Sequence, residues 1–239
     1  MCQRRPARFD SAPRFILSVK GDKGEMYCAS ISYGKDSLAM LHVITNILHK
    51  PLDRIITAEV WATDTIQADL PPMVEFKEKA DRIIKEMFGI DVEHFYATDA
   101  EGNKWTYEKQ FYKVRTGGIH KGKIYGFPCL SYLGAWCNSE LKRRAINQSK
   151  KTTKDCINYV GIASDEPKRI EPKKNRSDIQ MPLVEAGWTE AMCRQWCEEN
   201  NLLSPLYATF SRGGVGSAKI KGWIRCELSG KNTLIYGQC

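Results

Sequence analysis

The chain contains no apolar run approaching the roughly 18 to 20 residues that a membrane-spanning helix needs, and its first residues lack the apolar centre of a secretory signal. These absences set the expectation of a cytoplasmic protein with no membrane partner. There is no internal repeat and no linker that demands a second domain. What is present is 239 residues with 42% apolar content, enough for one sizeable α/β domain with its own core. The nine cysteines are an odd number in a chain without a secretory signal, so reduced thiols or metal ligands are expected rather than a disulfide framework. Cys193 and Cys197, four apart in a helical-looking stretch, are expected to be two thiols packed on one face.

A net charge of +8 invites a nucleic-acid partner, but its distribution weakens that reading. Six basic and three acidic residues give +3 over 1–25, four basic and one acidic give +3 over 215–239, and the body keeps only +2. Clusters such as Lys142-Arg143-Arg144 and Lys168-Arg169 can meet phosphates, although solvated helix faces account for most such clusters.

The pattern of apolar residues alternates between strand and helix. MYCASISY (26–33) reads as a buried strand and LAMLHVITNIL (38–48) as a helix. RIITAEVWAT (54–63) is a second strand, and MVEFKEKADRIIKEMFG (73–89) is an amphipathic helix opened by Pro71-Pro72 and closed by Gly89. IDVEHFYAT (90–98) is the third strand. Residues 99–135 lack a clear period and predict a long excursion with one helix, at the sheet edge where such loops cover ligands. SELKRRAINQSKK (139–151) reads as helix, DCINYVGIAS (155–164) as the fourth strand and IQMPLVEAGW (179–188) as a short extended segment. TEAMCRQWCEENN (189–201) reads as a helix capped by Thr189. This alternation predicts an α/β, Rossmann-like parallel sheet of about five strands flanked by helices.

Between the first strand and first helix stands SYGKDS, Ser32 to Ser37, where open α/β sheets bind ligands. Gly34 would permit close backbone approach and unusual dihedrals, and the N–H groups that follow open a helix whose dipole favours phosphate. Ser32 and Ser37 can donate hydroxyl hydrogen bonds, and Lys35 can neutralise phosphate charge. Asp36 would be repelled by polyphosphate unless it binds Mg²⁺ or caps the helix. The missing first glycine, and aspartate after Lys35, exclude a Walker A loop.

SYGKDS resembles the SGGKDS signature of PP-loop ATP pyrophosphatases, with Tyr33 in place of one glycine, and most of 26–214 resembles their PAPS reductase-like branch. The resemblance implies that Ser32, Tyr33, Gly34, Lys35, Asp36 and Ser37 hold an adenine nucleotide, ATP or PAPS, with Mg²⁺. Asp64-Thr65 matches the family's Asp-Thr pair near the nucleotide. Trp136-Cys137 before Leu141-Lys142 resembles its Cys-containing motif. GIASDEPKRI (161–170) resembles its Gly…Asp-Glu…Arg motif, which makes Asp165, Glu166 and Arg169 candidate active-site residues beside Lys35 and Asp36. PLVEAGWTE (182–190) and SPLYATFSRGG (204–214) match later landmarks, with Arg212 a candidate anion contact.

The chain departs from the family at both ends. After Gly214 the family commonly continues into a Cys-x-x-Cys unit and an amphipathic helix, whereas residues 215–239 show neither. A neighbouring reading frame, reached by restoring one deleted base, can encode a fair continuation, so a frameshifted tail is expected. The cysteines it displaces would take part in a zinc or iron–sulfur site, and no metal site is assigned to the residues present. Residues 1–25 read as a leader outside the family match. Three functions remain open on this reading. The preferred one is cleavage of ATP to AMP and pyrophosphate to activate an acceptor substrate, because an intact Lys35-Asp36-Ser37 suits a polyphosphate. The others are sulfonucleotide reduction by a thiolate and nucleotide binding without turnover, the last including a nucleic-acid-associated accessory.

Overall fold

The computed structural model describes residues 25–126, 136–150 and 156–209, so 1–24 of the expected leader, Arg212 and the tail 215–239 lie outside the described residues. Strand β1 (Met26–Ile31) turns into helix α1 (Lys35–His42), which continues as a π-helical segment over Val43–Ile47. Strand β2 (Arg54–Glu59), helix α2 (Pro71–Phe88), strand β3 (Val92–Tyr96) and helix α3 (Tyr107–Tyr112) follow. A second π-helical segment, Cys137–Arg143, leads into α4 (Arg144–Lys150), then β4 (Cys156–Val160) and α5 (Pro167–Ile170). The described chain closes with β5 (Ile179–Gln180), α6 (Pro182–Glu185), α7 (Glu190–Glu199) and α8 (Leu206–Thr209). All five strands are parallel, in the order β3-β2-β1-β4-β5, which is the expected Rossmann-like α/β sheet. No helix among the described residues is long and apolar enough to cross a membrane.

Local chemistry explains where the elements begin and end. Pro71 and Pro72 occupy the first turn of α2, where a missing N–H costs nothing, and Gly89 closes the helix at φ 71. Between them Met73, Phe76, Ala80 and Ile84 form one buried stripe. Thr189 caps α7 by accepting from the Met192 N–H at 3.4 Å. The stretch 179–188 is extended for only two residues. Pro182 cannot donate to a sheet ladder, and instead it opens α6.

The core lies between the sheet and α1, α2 and α7, where Ala29, Ile31 and Ile55 meet Leu38, Leu41, Phe76, Ile84, Trp196 and Cys197. Cys28 and Ile56 are also buried but alternate with these along the strands, so they point to the opposite face, where α4 packs on β2 and β3. Cys193 and Cys197 are fully buried on one face of α7, as their spacing predicts, and burial pushes both thiols up to about 12.

From β1 the chain moves outward through β2 and β3 on one side, while β4 and β5 fill the other, so β1 and β4 flank the point where the order reverses. Ser30 is in register with Val160, which places the turns after both strands side by side. The chain leaves β4 at Gly161, and a Cβ there would lie 2.8 Å from Ser37 Cα and 3.0 Å from the Asp36 carbonyl oxygen. Both contacts are backbone, so neither can swing aside. Gly161→Ala is therefore expected to destabilise the fold by about 1–3 kcal/mol, the usual range for overpacking. Urea denaturation measures it, and an unchanged midpoint would refute the close approach.

Candidate functional site

The turn after β1 is built on an unusual residue. Gly34, expected to take the irregular dihedrals, is ordinary extended backbone at φ −81, ψ 151, and the left-handed conformation falls on Tyr33 at φ 55. A bulky residue stays there only if its side chain is held. Tyr33 is fully buried, and its hydroxyl donates to Asp81 Oδ1 at 2.5 Å. His94 bridges Asp81 at 3.0 Å and Glu59 at 2.8 Å, which ties α2, β2 and β3 into the same network. Lys77, paired with Asp69, lies 5.3 Å from the centre of the Tyr33 ring. The Tyr33 side chain therefore points away from the site and anchors the turn, while its backbone shapes the turn.

Gly34 is the N-cap of α1, and no side chain caps the helix. The first N–H groups of a helix have no partner within it. The Lys35 N–H donates to Tyr207 Oη at 3.2 Å, so a phenol oxygen stands at one of these donors. Ser37 Oγ donates to the Gly34 carbonyl at 2.8 Å and accepts from the Ser32 N–H at 3.2 Å, which closes the turn on itself. The Ser32 and Ser37 hydroxyls are 3.4 Å apart.

The Lys35 side chain is almost fully buried, and its ammonium donates to Asp36 Oδ1 at 2.6 Å and Glu190 Oε2 at 3.0 Å. Burial opposes the charge of Lys35, but the two carboxylates outweigh it and hold its pKa above the ordinary lysine value. Asp36 is also raised, first by burial and then by the nearby charges of Glu190 and Glu166, in spite of Lys35. More carboxylate than ammonium gathers at Lys35. That surplus is favourable ground for a further cation.

Asp165 and Glu166 arrive from the turn after β4. Asp165 accepts from the Glu190 N–H at 3.0 Å and so caps α7, the helix that presents Glu190 to Lys35. Glu166 accepts from the Ala163 N–H at 3.3 Å and pairs with Arg169 Nη1 at 2.6 Å. The structure thus brings Ser32, Gly34, Lys35, Asp36, Ser37, Asp165, Glu166 and Arg169 to the junction of β1 and β4. It does not bring Asp64 and Thr65 into contact with them. Asp64 is exposed and pairs with Lys109 at 2.7 Å, its carbonyl accepts from Lys104 at 3.0 Å, and the Thr65 N–H donates to Thr63 at 3.4 Å. These partners, on the excursion after β3 and within the loop itself, hold the pair aside.

Three participants escaped the sequence reading: Glu190, Tyr207 and Gly161. All lie inside landmark strings quoted above, and the glycine directly after a buried strand was the one readable signal. Glu190 and Tyr207 carry no local mark, because their roles depend on where α7 and α8 pack. No group of three or more His, Cys, Asp and Glu among the described residues is arranged to hold a metal ion by itself. A surface hollow of about 330 Å³ beside the start of α2, lined by Ile66, Asp69 and Val74 among others, includes none of the turn residues. No family model, curated protein or solved structure matches the chain.

The hydrogen bonds from Asp81, then Glu59, raise His94 to about 9. A histidine whose folded pKa lies above its unfolded value, about 6.5, contributes stability that is complete below pH 6.5 and lost as pH rises through about 9. The urea midpoint is therefore expected to fall between these values in the native chain and to stay flatter in His94→Gln. Parallel pH profiles for the two proteins would remove the network from the account of the turn.

Proposed function

We propose that the chain binds an adenine nucleotide with its phosphates at residues 32–37 and cleaves ATP between the α and β phosphates. An acceptor nucleophile attacks the α phosphorus, the bond to the bridging oxygen breaks, and pyrophosphate departs with that electron pair, leaving the acceptor adenylated. The observation that carries this reading is the uncapped start of α1, at the point where strand order reverses, with the buried Lys35 ammonium beside it. Backbone N–H groups at a helix start and one fixed cation are what a polyphosphate needs as negative charge builds on the leaving group. Tyr207 Oη marks one such donor as usable, and a phosphate oxygen would take its place. The resemblance of SYGKDS and of 161–170 to PAPS reductase-like PP-loop enzymes supports the same reading.

Mg²⁺ fits the residues present. It binds through one or two carboxylates plus substrate phosphates, and Asp36 and Glu190 offer such oxygens in a pocket with surplus negative charge. When bound, it would neutralise charge on the pyrophosphate. Around it, Lys35 holds the phosphate chain, Asp165 fixes the start of α7, and Arg169 turns from Glu166 to the substrate. The thiols packed on α7 do not favour sulfonucleotide reduction, since Cys193 and Cys197 are buried and pushed up to about 12, far from a ready thiolate.

Labelled ATP tests the proposal in two steps. Equilibrium dialysis with Mg²⁺ is expected to show ATP binding that Lys35→Ala weakens about tenfold or more, and extracts containing the acceptor are expected to yield AMP and pyrophosphate with the native chain only. Thiol-dependent sulfite release from PAPS would transfer the site to reduction. Binding without either product would mark a nucleotide-binding protein, and absence of binding would overturn the assignment.

A further inference from the structure

The excursion after β3 carries charge that the whole-chain balance conceals. Between Lys104 and Tyr125 there are six basic residues and one acidic residue, +5 in a body whose total is +2. Part of this stretch forms a small antiparallel arm: Val114 bridges Ile124, the Arg115 N–H donates to the Lys123 carbonyl at 2.9 Å, and the Tyr125 N–H donates to the Lys113 carbonyl at 2.9 Å. The arm is rooted at the carboxyl ends of β2 and β3. Lys109 pairs with Asp64 at 2.7 Å, and the Trp105 N–H donates to the Ala97 carbonyl at 2.7 Å.

Cations and rings alternate along its face. Arg144 and Lys113 each lie 5.5 Å from the Trp105 ring centre, and the Tyr125 ring centre lies 5.8 Å from Lys113 and 4.3 Å from Arg115. Beside it Lys104 sits 3.1 Å from the centre of Trp61. Among the described residues, Lys113, Arg115 and Arg144 form no ion pair with a carboxylate. Their charge rests on aromatic faces instead. At the tip of the arm Ile119 is 94% exposed, next to His120 and Lys121.

We infer that this ladder is a docking face for single-stranded nucleic acid. Alternating cations and rings suit a polymer that alternates phosphates with flat bases: the cations move to the backbone and the uncovered rings stack on bases. A duplex presents no base faces to such rings, and one exposed isoleucine offers too little apolar area to anchor the arm in a lipid surface. Binding at this face does not require the nucleotide reading. Its position at the same sheet edge as the phosphate turn makes the bound strand the acceptor, and this second part rests on the ATP-cleavage proposal.

Fluorescence anisotropy with labelled 20-residue RNA and DNA strands, at several salt concentrations, tests the docking face on the full chain. Binding of either strand is expected, tighter than to the matching duplex, with affinity falling as salt rises by a log–log slope of about −0.7 for each phosphate contacted. Lys113→Glu with Arg115→Glu is expected to weaken strand binding at least tenfold and flatten the slope, while the urea midpoint and ATP binding stay unchanged. Trp105→Leu supplies the stacking arm, with an expected loss of about tenfold at unaltered slope. Lys35→Ala is expected to bind strands normally, so a failure of the ATP reading leaves this result standing. Equal or tighter binding of duplex, of anionic phosphatidylserine vesicles or of polyglutamate would overturn the proposal, as would no strand binding at low salt or binding indifferent to the double charge reversal.

Discussion

An ammonium group cannot stay buried without compensation, because the low-dielectric interior offers nothing in place of its lost hydration. Lys35 meets that condition with its neighbour Asp36 and with Glu190, which lies 155 positions further along the chain. Glu190 reaches it only because Asp165 and Thr189 hold the start of α7, and Asp165 stands there only because β4 ends beside β1. Cys197 adds a contact of 3.4 Å from its thiol to the Lys35 carbonyl. One buried charge thus couples the first turn of α1, the turn after β4 and α7. Removing either carboxylate would leave the ammonium and its partner mismatched, a larger loss than that of a surface pair.

The same group connects stability to chemistry. A lysine satisfied by two carboxylates is already fixed in place, so under the proposed function a phosphate arriving at α1 would exchange one anionic partner for another and order little that was disordered. That would lower the entropic cost of binding such a ligand. Tyr207 plays a comparable part at the Lys35 N–H, where its hydroxyl accepts the bond that would otherwise go to water.

Much of this was legible in the sequence because the signals are local. Strand, turn and helix succession follows from apolar periodicity, and Pro71-Pro72, Gly89 and Thr189 mark helix ends through backbone chemistry that acts within a few residues. The position of SYGKDS after the first strand was legible for the same reason. What was not legible depends on packing. The irregular dihedral belongs to Tyr33 rather than Gly34, since Asp81 and His94, far along the chain, reward the tyrosine side chain enough to hold its backbone left-handed. Asp64 was grouped with the turn by resemblance, whereas in the structure it pairs with Lys109 of the excursion, a contact that no local pattern announces. The ladder is hidden in the whole-chain charge because the segment before it, 26–103, carries an excess of acidic residues that offsets its +5.

Tyr33 also bears on how firmly the turn after β1 is set. Glycine at such a position is free to enter the left-handed region but equally free to leave it, and the turn would lose that freedom each time a ligand bound. A tyrosine there is strained by its own sterics, yet a buried ring with a hydrogen bond to a carboxylate offsets the strain and removes the alternatives. The turn is then held in one shape by side chains of its own fold. Ser37 completes it from inside by accepting from the Ser32 N–H and donating to the Gly34 carbonyl, so the donors left over are those at the start of α1. The cost is dependence on charge elsewhere: the ring is only as well held as Asp81, and Asp81 shares its second oxygen with a histidine that carries its proton up to about pH 9. Preorganisation of the turn is in this way tied to the protonation of a residue two strands away.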